Sequence, residues 1–410
     1  LRIGALVALA FGLASPSELR AQPVTLGRAL DLAAAQHPLL RAGQAMLDGA
    51  SSAIETARAY PNPEAGVIAG RQRASGGNPA VNGAALYEVV QPLELGGLRS
   101  TRIALAERGR DASAHLLDEV RLEVLSQVRR TFFQVLRRQE ESRLALENVT
   151  LVEDLRNRIR VRVEVGEIGR LELVRAEAEV ASARTLATSV QLQEVTAVAQ
   201  FRAAVGGVLP ADLDLEGALD PDAALPPVDA LRSEARARHP ALRRAAAEVG
   251  RAAARTAYET AQRRPQPSIW SEVDQSGPTY RIGVRLPVPI WNQRQGPIAE
   301  ARAGERQAAA AAEAREIEIL SALDGAYERY AVAGQQVTLF EQGLLREAEE
   351  ALRTAEVAYK LGERGILEVL DAQRLLRTVR LNYLSARFDR QAALVDLDEL
   401  RGLTLPRTTP

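Results

Sequence analysis

The segment VGEIGRLELVRAE at 165–177 returns as LGERGILEVLDAQ at 361–373. Gly166/Gly362, Glu167/Glu363, Gly169/Gly365, Leu171/Leu367, Glu172/Glu368 and Ala176/Ala372 are identical between the two copies. Other landmarks recur at nearly the same offset: His37-Pro38 with His239-Pro240, Pro61-Asn62-Pro63 with Pro265-Gln266-Pro267, and Gly206 with Gly402. A period of about 200 residues is the mark of an internal duplication. Whatever one half folds into, the other must match.

Ala, Leu, Glu, Arg and Gln dominate and aromatics are only 4%, a helix-forming composition. With 52 basic against 53 acidic residues, the chain has no net field to attract a nucleic acid. The absence of Cys excludes disulfides and thiolate metal sites. Residues 3–14 form an apolar run preceded by Arg2 and followed by SPSELRAQ, which reads as a secretory signal peptide over 1–21. No Cys follows it, so no lipid anchor is expected on the mature N-terminus. Past residue 21 no stretch approaches the ~20 apolar residues of a spanning helix. An exported chain of this kind meets a membrane through strands or through partners.

The spacing predicts a first repeat over 22–205. Its parts are a helix from 25 to 59, strands near 64–73 and 84–93, a long helix from 98 to 163, the turn, and a helix from 171 to 205. A Pro/Gly/Asp-rich connector over 206–228 leads to a second repeat over 229–401. There the order is helix 229–263, strands near 268–274 and 279–288, helix 297–360, turn, and helix 367–401, with a loose tail over 402–410. A helix of about 65 residues is roughly 98 Å long, and two of about 35 end to end reach roughly 105 Å. Each long helix can therefore pair with two short ones meeting at an equatorial connector. Leu320, Leu323, Tyr327, Tyr330, Val337, Leu344, Ala348, Ala355 and Tyr359 follow coiled-coil steps, interrupted at Gly334 and Glu341.

In 280–286, Tyr280, Ile282, Val284 and Leu286 alternate with Arg281, Gly283 and Arg285, the period of a strand with one apolar face. Ile269, Ser271 and Val273 against Trp270, Glu272 and Asp274 is a weaker case, with Trp270 suited to a membrane interface. In the first repeat Tyr87, Val89 and Gln91 oppose Leu86, Glu88 and Val90, which leaves the faces unassigned. A two-stranded hairpin is not stable alone in water, and four strands cannot close a barrel. The economical solution is for several protomers to pool strands in one barrel, with lipid outside and solvent inside.

Two repeats of helix–hairpin–long helix–turn–helix resemble the TolC-like outer-membrane efflux and secretion channels. The motif that carries the resemblance is Tyr359-x-x-Gly362-x-x-Gly365-x-Leu367-x-Val369-Leu370-Asp371-Ala372, continued by Asn382-Tyr383. The resemblance implies a mainly α fold with a small β part. It also implies a homotrimer, with a 12-stranded β-barrel in the outer membrane above an α-helical periplasmic tunnel. The partners it implies are outer-membrane lipid, a periplasmic adaptor (membrane fusion protein) and an inner-membrane pump. PVPIWNQRQG at 287–296 is similar to the heavy-metal, CzcC-like branch served by resistance–nodulation–division pumps, whereas PLELGGLRS at 92–100 departs from it. The expected function is a passive exit duct for divalent heavy metals. Drug efflux and type I protein secretion stay open, as does a periplasmic coiled-coil structural or adaptor protein that never inserts.

Glu368 and Asp371 are three residues apart and share a helix face. A solvated acidic pair on an exposed turn explains that spacing as well as a functional one. The resemblance makes them an acidic constriction that favours cations through its field, with Arg364 the basic residue holding a closed tip. The first repeat keeps Glu172 but has Arg175 in place of Asp371. Val165-Gly166-Glu167 and Leu361-Gly362-Glu363 are turns in which Gly permits left-handed backbone; the resemblance makes them the adaptor's docking points. His37 and His239 precede prolines as helix interruptions, and His115 stands alone in a long helix, so no metal site is expected. Neither GxGxxG nor GxxxxGK[ST] occurs, and no nucleophile–His–carboxylate set can be assembled from spacing. The chain reads as neither an enzyme nor a cofactor protein.

Overall fold

The computed structural model describes residues 24–72, 81–209, 213, 215–219, 224–275 and 279–403. The signal peptide expected over 1–21 and most of the tail expected over 402–410 lie outside the described residues. In chain order the elements of the first repeat are β1 (Val24–Thr25), α1 (Leu26–Gln36), α2 (Pro38–Arg58), β2 (Glu64–Gln72), β3 (Val81–Pro92), α3 (Leu98–Glu164) and α4 (Arg170–Ala204). Those of the second are β4 (Leu215–Glu216), α5 (Val228–Arg238), α6 (Pro240–Ala261), β5 (Ser268–Asp274), β6 (Thr279–Arg285), α7 (Gln295–Leu339), α8 (Leu345–Lys360) and α9 (Ile366–Leu400).

The helices expected over 25–59 and 229–263 each break at the His-Pro pair. The reason is local: His37 and His239 cap the following helix, Nδ1 accepting from the backbone N–H of Leu39 and of Ala241, both at 3.2 Å. Pro38 and Pro240 take the first helical position, where a missing N–H is harmless. Between α7 and α8 the chain makes one turn of π-helix, Phe340–Leu344. It falls where the coiled-coil steps were interrupted at Glu341. The wider turn lets the apolar stripe change phase without ending the helix. Tyr383 in α9 braces it by donating to Glu341 Oε1 at 2.8 Å.

The chain divides into two compact units. The first contains the described residues of 24–35, 128–220 and 337–388. Phe132 and Phe201 are fully buried within it, their rings 5.8 Å apart edge to face, and β1 pairs with β4 in parallel. The second unit contains the described residues of 36–127, 224–336 and 389–403. In its core Leu231, Ala235, Leu323, Ala326 and Leu397 are fully buried together.

That second unit also holds the sheet. Its four antiparallel strands run in the order β2-β3-β5-β6, so the hairpins of the two repeats join through β3 and β5. The register opposes Tyr87 to Val273, Val89 to Ser271, Ile269 to Val284 and Val273 to Tyr280. Because side chains alternate, Val67, Tyr87, Val89, Ile269, Val273, Tyr280, Ile282 and Val284 share one face. That apolar face is open to the outside, with Tyr280 82% and Ile282 83% exposed. Glu88, Glu272, Arg281 and Arg285 share the other face, where Arg281 pairs with Glu272 at 3.0 Å and Arg285 with Glu88 at 3.2 Å. Pairing thus settles the faces that alternation alone left open in the first repeat.

Trp270 corrects an expectation. The register sets it opposite Gly283 on the charged face, and a Cβ on Gly283 would lie 2.6 Å from the indole. The glycine makes room for the ring, so Trp270 faces away from the apolar surface. The exposed tryptophan is Trp291, 89% accessible, in the segment after β6. Strand β6 itself ends at Arg285, short of the expected 288, because Pro287 lacks the N–H to continue a ladder. Among the described residues no helix is long and apolar enough to cross a membrane.

Candidate functional site at the paired helical turns

Both copies of the duplicated turn close a helical hairpin in the first unit, and they do so identically. At the end of α3, Gly166 lies at φ +76°. Its N–H donates to Val163 O at 3.0 Å, and the Glu167 N–H donates to Arg162 O at 2.9 Å. At the end of α8, Gly362 lies at φ +75°. Its N–H donates to Tyr359 O at 3.1 Å, and the Glu363 N–H donates to Ala358 O at 3.0 Å. These are Schellman closures, in which a left-handed glycine satisfies the helix's last carbonyls. Gly206 and Gly402 end α4 and α9 with the same pair of bonds. The matched glycines of the repeat are one motif used four times.

The hairpin ends pack on a shared apolar cluster of Leu155, Ile159, Ala176, Tyr359, Ile366, Val369 and Leu370. Above it the turns are bare: Val165 is 71% and Leu361 69% exposed, and Gly166, Glu167, Gly362 and Glu363 are exposed too.

The copies differ in their charges. Arg162 pairs with Glu167 at 2.5 Å and lies over the Tyr359 ring at 4.9 Å, bracing the first turn. The hydrogen bond from Arg162 holds the Glu167 carboxyl below the usual carboxylate range. Burial pushes the Tyr359 hydroxyl up, against the pull of Arg162. In the second copy Ala358 stands where Arg162 stands in the first. Glu363 and Arg364 accordingly form no ion pair among the described residues.

Glu368 and Asp371 are both exposed on the first turns of α9. Arg364 lies in the turn and is not brought into an ion pair with either. Asp371 instead pairs with Arg374 at 3.4 Å, and Arg374 reaches across to Glu179 in α4 at 2.5 Å. Arg377 lies 3.7 Å from the same carboxylate, which is only 8% exposed. The hydrogen bond to Glu179 raises the pKa of Arg374 further. The sequence reading missed this Asp371–Arg374–Glu179 chain. Asp371 and Arg374 were visible as a three-residue pair, but Glu179 lies 195 positions away and only packing brings it near. Among the described residues no cluster of His, Asp and Glu is arranged to hold a metal.

Long helices folded back at exposed glycine turns, with a four-stranded sheet that is apolar on one open face and charged on the other, are the features of an outer-membrane channel subunit. The chain belongs to the outer membrane efflux protein family, which it matches over residues 29–207 and 231–403. It is 29% identical over 391 residues to the cobalt-zinc-cadmium resistance protein CzcC of Cupriavidus metallidurans, covering 93% of this chain and 91% of that one. It is 25% identical over 316 residues to the nickel-cobalt-cadmium resistance protein NccC of Alcaligenes xylosoxydans xylosoxydans, covering 76% of this chain and 69% of that one.

Among solved structures, the outer-membrane channel OprN superposes with a TM-score of 0.81 at 16% identity over 92% of this chain and 89% of that one. CusC gives 0.80 at 17% identity over 97% of both chains. These two likenesses establish the fold. The family resemblance read from the turn motif therefore holds across nearly the whole described chain. The protein is an outer-membrane efflux channel component, mainly helical with a small sheet.

Proposed function

We propose that three copies of this chain form a passive duct through which an efflux system discharges divalent heavy metals. The observation that carries the assembly is the sheet, with one face apolar and exposed and with β2 and β6 as unpaired edges. Two copies supply eight strands, a barrel whose interior side chains fill. Three copies supply twelve, which leaves an aqueous bore lined by the Glu88/Arg285 and Glu272/Arg281 face. Exposed Val165, Gly166 and Glu167 with Leu361, Gly362 and Glu363 receive a periplasmic adaptor. Glu368 and Asp371 from three chains gather six carboxylates at the tunnel mouth, with Arg364 beside them. Such a ring attracts cations through its field and releases them again, as a conduit must.

The cargo reading rests on the two metal-resistance relatives. An inner-membrane pump of the resistance–nodulation–division type supplies the energy, and the duct itself does no chemistry. A deletion strain challenged separately with cobalt, zinc and cadmium salts and with hydrophobic drugs tests the cargo. Metal sensitivity restored by the intact gene is expected; sensitivity to drugs alone overturns the metal assignment.

A further inference from the structure

We infer that the Pro287–Trp291 segment is a rigid anchor seated in the lipid interface of the outer membrane's inner leaflet. This rests on the reading of the sheet's apolar face as lipid-facing. Pro92, Ser268 and Arg285 lie at one level of the sheet, the end from which the helices leave. The apolar stripe of β6 does not stop there. After Ile282 and Val284 it continues through Leu286 at 53%, Val288 at 68%, Ile290 at 62% and Trp291 at 89% exposure. The anchor thus follows β6 directly in the chain, at the helix-side rim of the face read as lipid-facing.

The backbone of this segment is built for a place where water is scarce. Pro287 and Pro289 have no N–H to leave unsatisfied. The Ile290 N–H is spent internally on Val288 O at 2.9 Å, a tight turn centred on Pro289. The segment then leaves the Val288 and Trp291 N–H groups to be met by water or headgroups, which an interface supplies and a hydrocarbon core does not. Its base is polar and fixed. Asn292 Oδ1 accepts from the Arg294 N–H at 2.9 Å, Arg294 pairs with Glu259 at 2.6 Å, and Arg263 donates to Gln293 at 3.1 Å. Arg294 itself holds φ 60°, so the turn into α7 is tightly specified. An indole on a proline-stiffened support above a polar base suits a bilayer interface, where tryptophan keeps its ring in the apolar layer and its N–H wet.

The chain's two tryptophans make the test direct, since Trp270 lies on the charged face and Trp291 on the proposed anchor. Full-length Trp270→Phe and Trp291→Phe variants are reconstituted in phosphatidylethanolamine/phosphatidylglycerol vesicles with plain or brominated acyl chains. Bromolipid should quench most of the Trp291 emission in Trp270→Phe and leave the Trp270 emission in Trp291→Phe nearly unchanged. Trp291 emission indifferent to bromolipid overturns the inference, whether the indole is then reached by aqueous iodide or shielded against a neighbouring protomer. A third variant, Ile282→Trp with both native tryptophans replaced by Phe, reports on the sheet face. Quenching there with none at Trp291 defeats the anchor alone, while quenching at neither defeats the lipid-facing sheet.

Discussion

Gly362 separates the shape of the turn from its use. At φ +75° it occupies a left-handed well, yet a Cβ placed on it meets nothing within 4 Å. Gly362→Leu should therefore cost only the left-handed backbone penalty, roughly 1–2 kcal/mol. Gly402 has the same φ of +75°, but there a Cβ would stand 3.1 Å from His239 Cα and 3.2 Å from Arg238 O. Backbone cannot give way as a side chain can, so Gly402→Ala adds overpacking and should cost roughly 2–5 kcal/mol in all. Asn tolerates the left-handed region, so Gly362→Asn keeps most of the stability while still projecting a side chain from the tip.

The assay pairs thermal denaturation of the purified assembly with metal resistance of a complemented deletion strain. Gly362→Leu and Gly362→Asn should both assemble, melt close to the parent and lose resistance. Gly402→Ala should melt far lower. If Gly362→Asn restores full resistance while Gly362→Leu fails to assemble, the glycine serves backbone geometry alone. The docking role of the turn is then wrong.

Three further outcomes follow from single contacts. Arg374→Ala should destabilise by about 1–2 kcal/mol, because Glu179 stays buried with only Arg377 at 3.7 Å to offset it. The double variant Glu179→Arg/Arg374→Glu should recover part of that loss in thermal melts. His239 accepts the Ala241 N–H only when neutral, and burial, assisted by Arg315 and opposed by Glu119, lowers its pKa to about 4. The unfolded chain takes up this proton near pH ~6.5 and the native fold only near 4. Stability is therefore complete above the first value and declines as pH falls toward the second, by at most roughly 3 kcal/mol. Denaturant midpoints measured across that range should fall for the parent and stay flatter for His239→Asn. Gly283→Val should expel Trp270 from its place on the charged face, seen as a shift in the emission of a Trp291→Phe background; an unmoved spectrum would contradict the packing.

The helices and both tips were legible because the glycines carry their own instruction. A Gly after a long apolar-periodic stretch, repeated at Gly166, Gly206, Gly362 and Gly402, has few roles other than a left-handed helix end. Strand β6 was equally plain from alternation. What escaped depended on partners distant in sequence. Nothing in Tyr87-Glu88-Val89 says which side chains join the apolar face until β3 pairs with β5. Trp270 was assigned to the membrane by residue type, yet Gly283 across the strand pair decides its side. The π turn at Phe340–Leu344 was felt only as an interruption in the heptads. Glu179 gave no local sign of holding Arg374. The Arg364, Glu368 and Asp371 set came from the family resemblance; on the single chain all three side chains are exposed.

A three-chain barrel requires β2 of one chain to pair with β6 of its neighbour. The sequence contains no Cys, so introduced thiols report without background. Cysteine pairs scanned along β2 at Ala65, Val67 and Ala69 and along β6 at Tyr280, Ile282 and Val284 are oxidised in intact outer membranes and resolved on denaturing gels. A closed three-chain barrel predicts that the pairs in register give a covalent trimer as the dominant product. Membrane-inserted protein that yields only intrachain bonds, or dimers at every register, would contradict it.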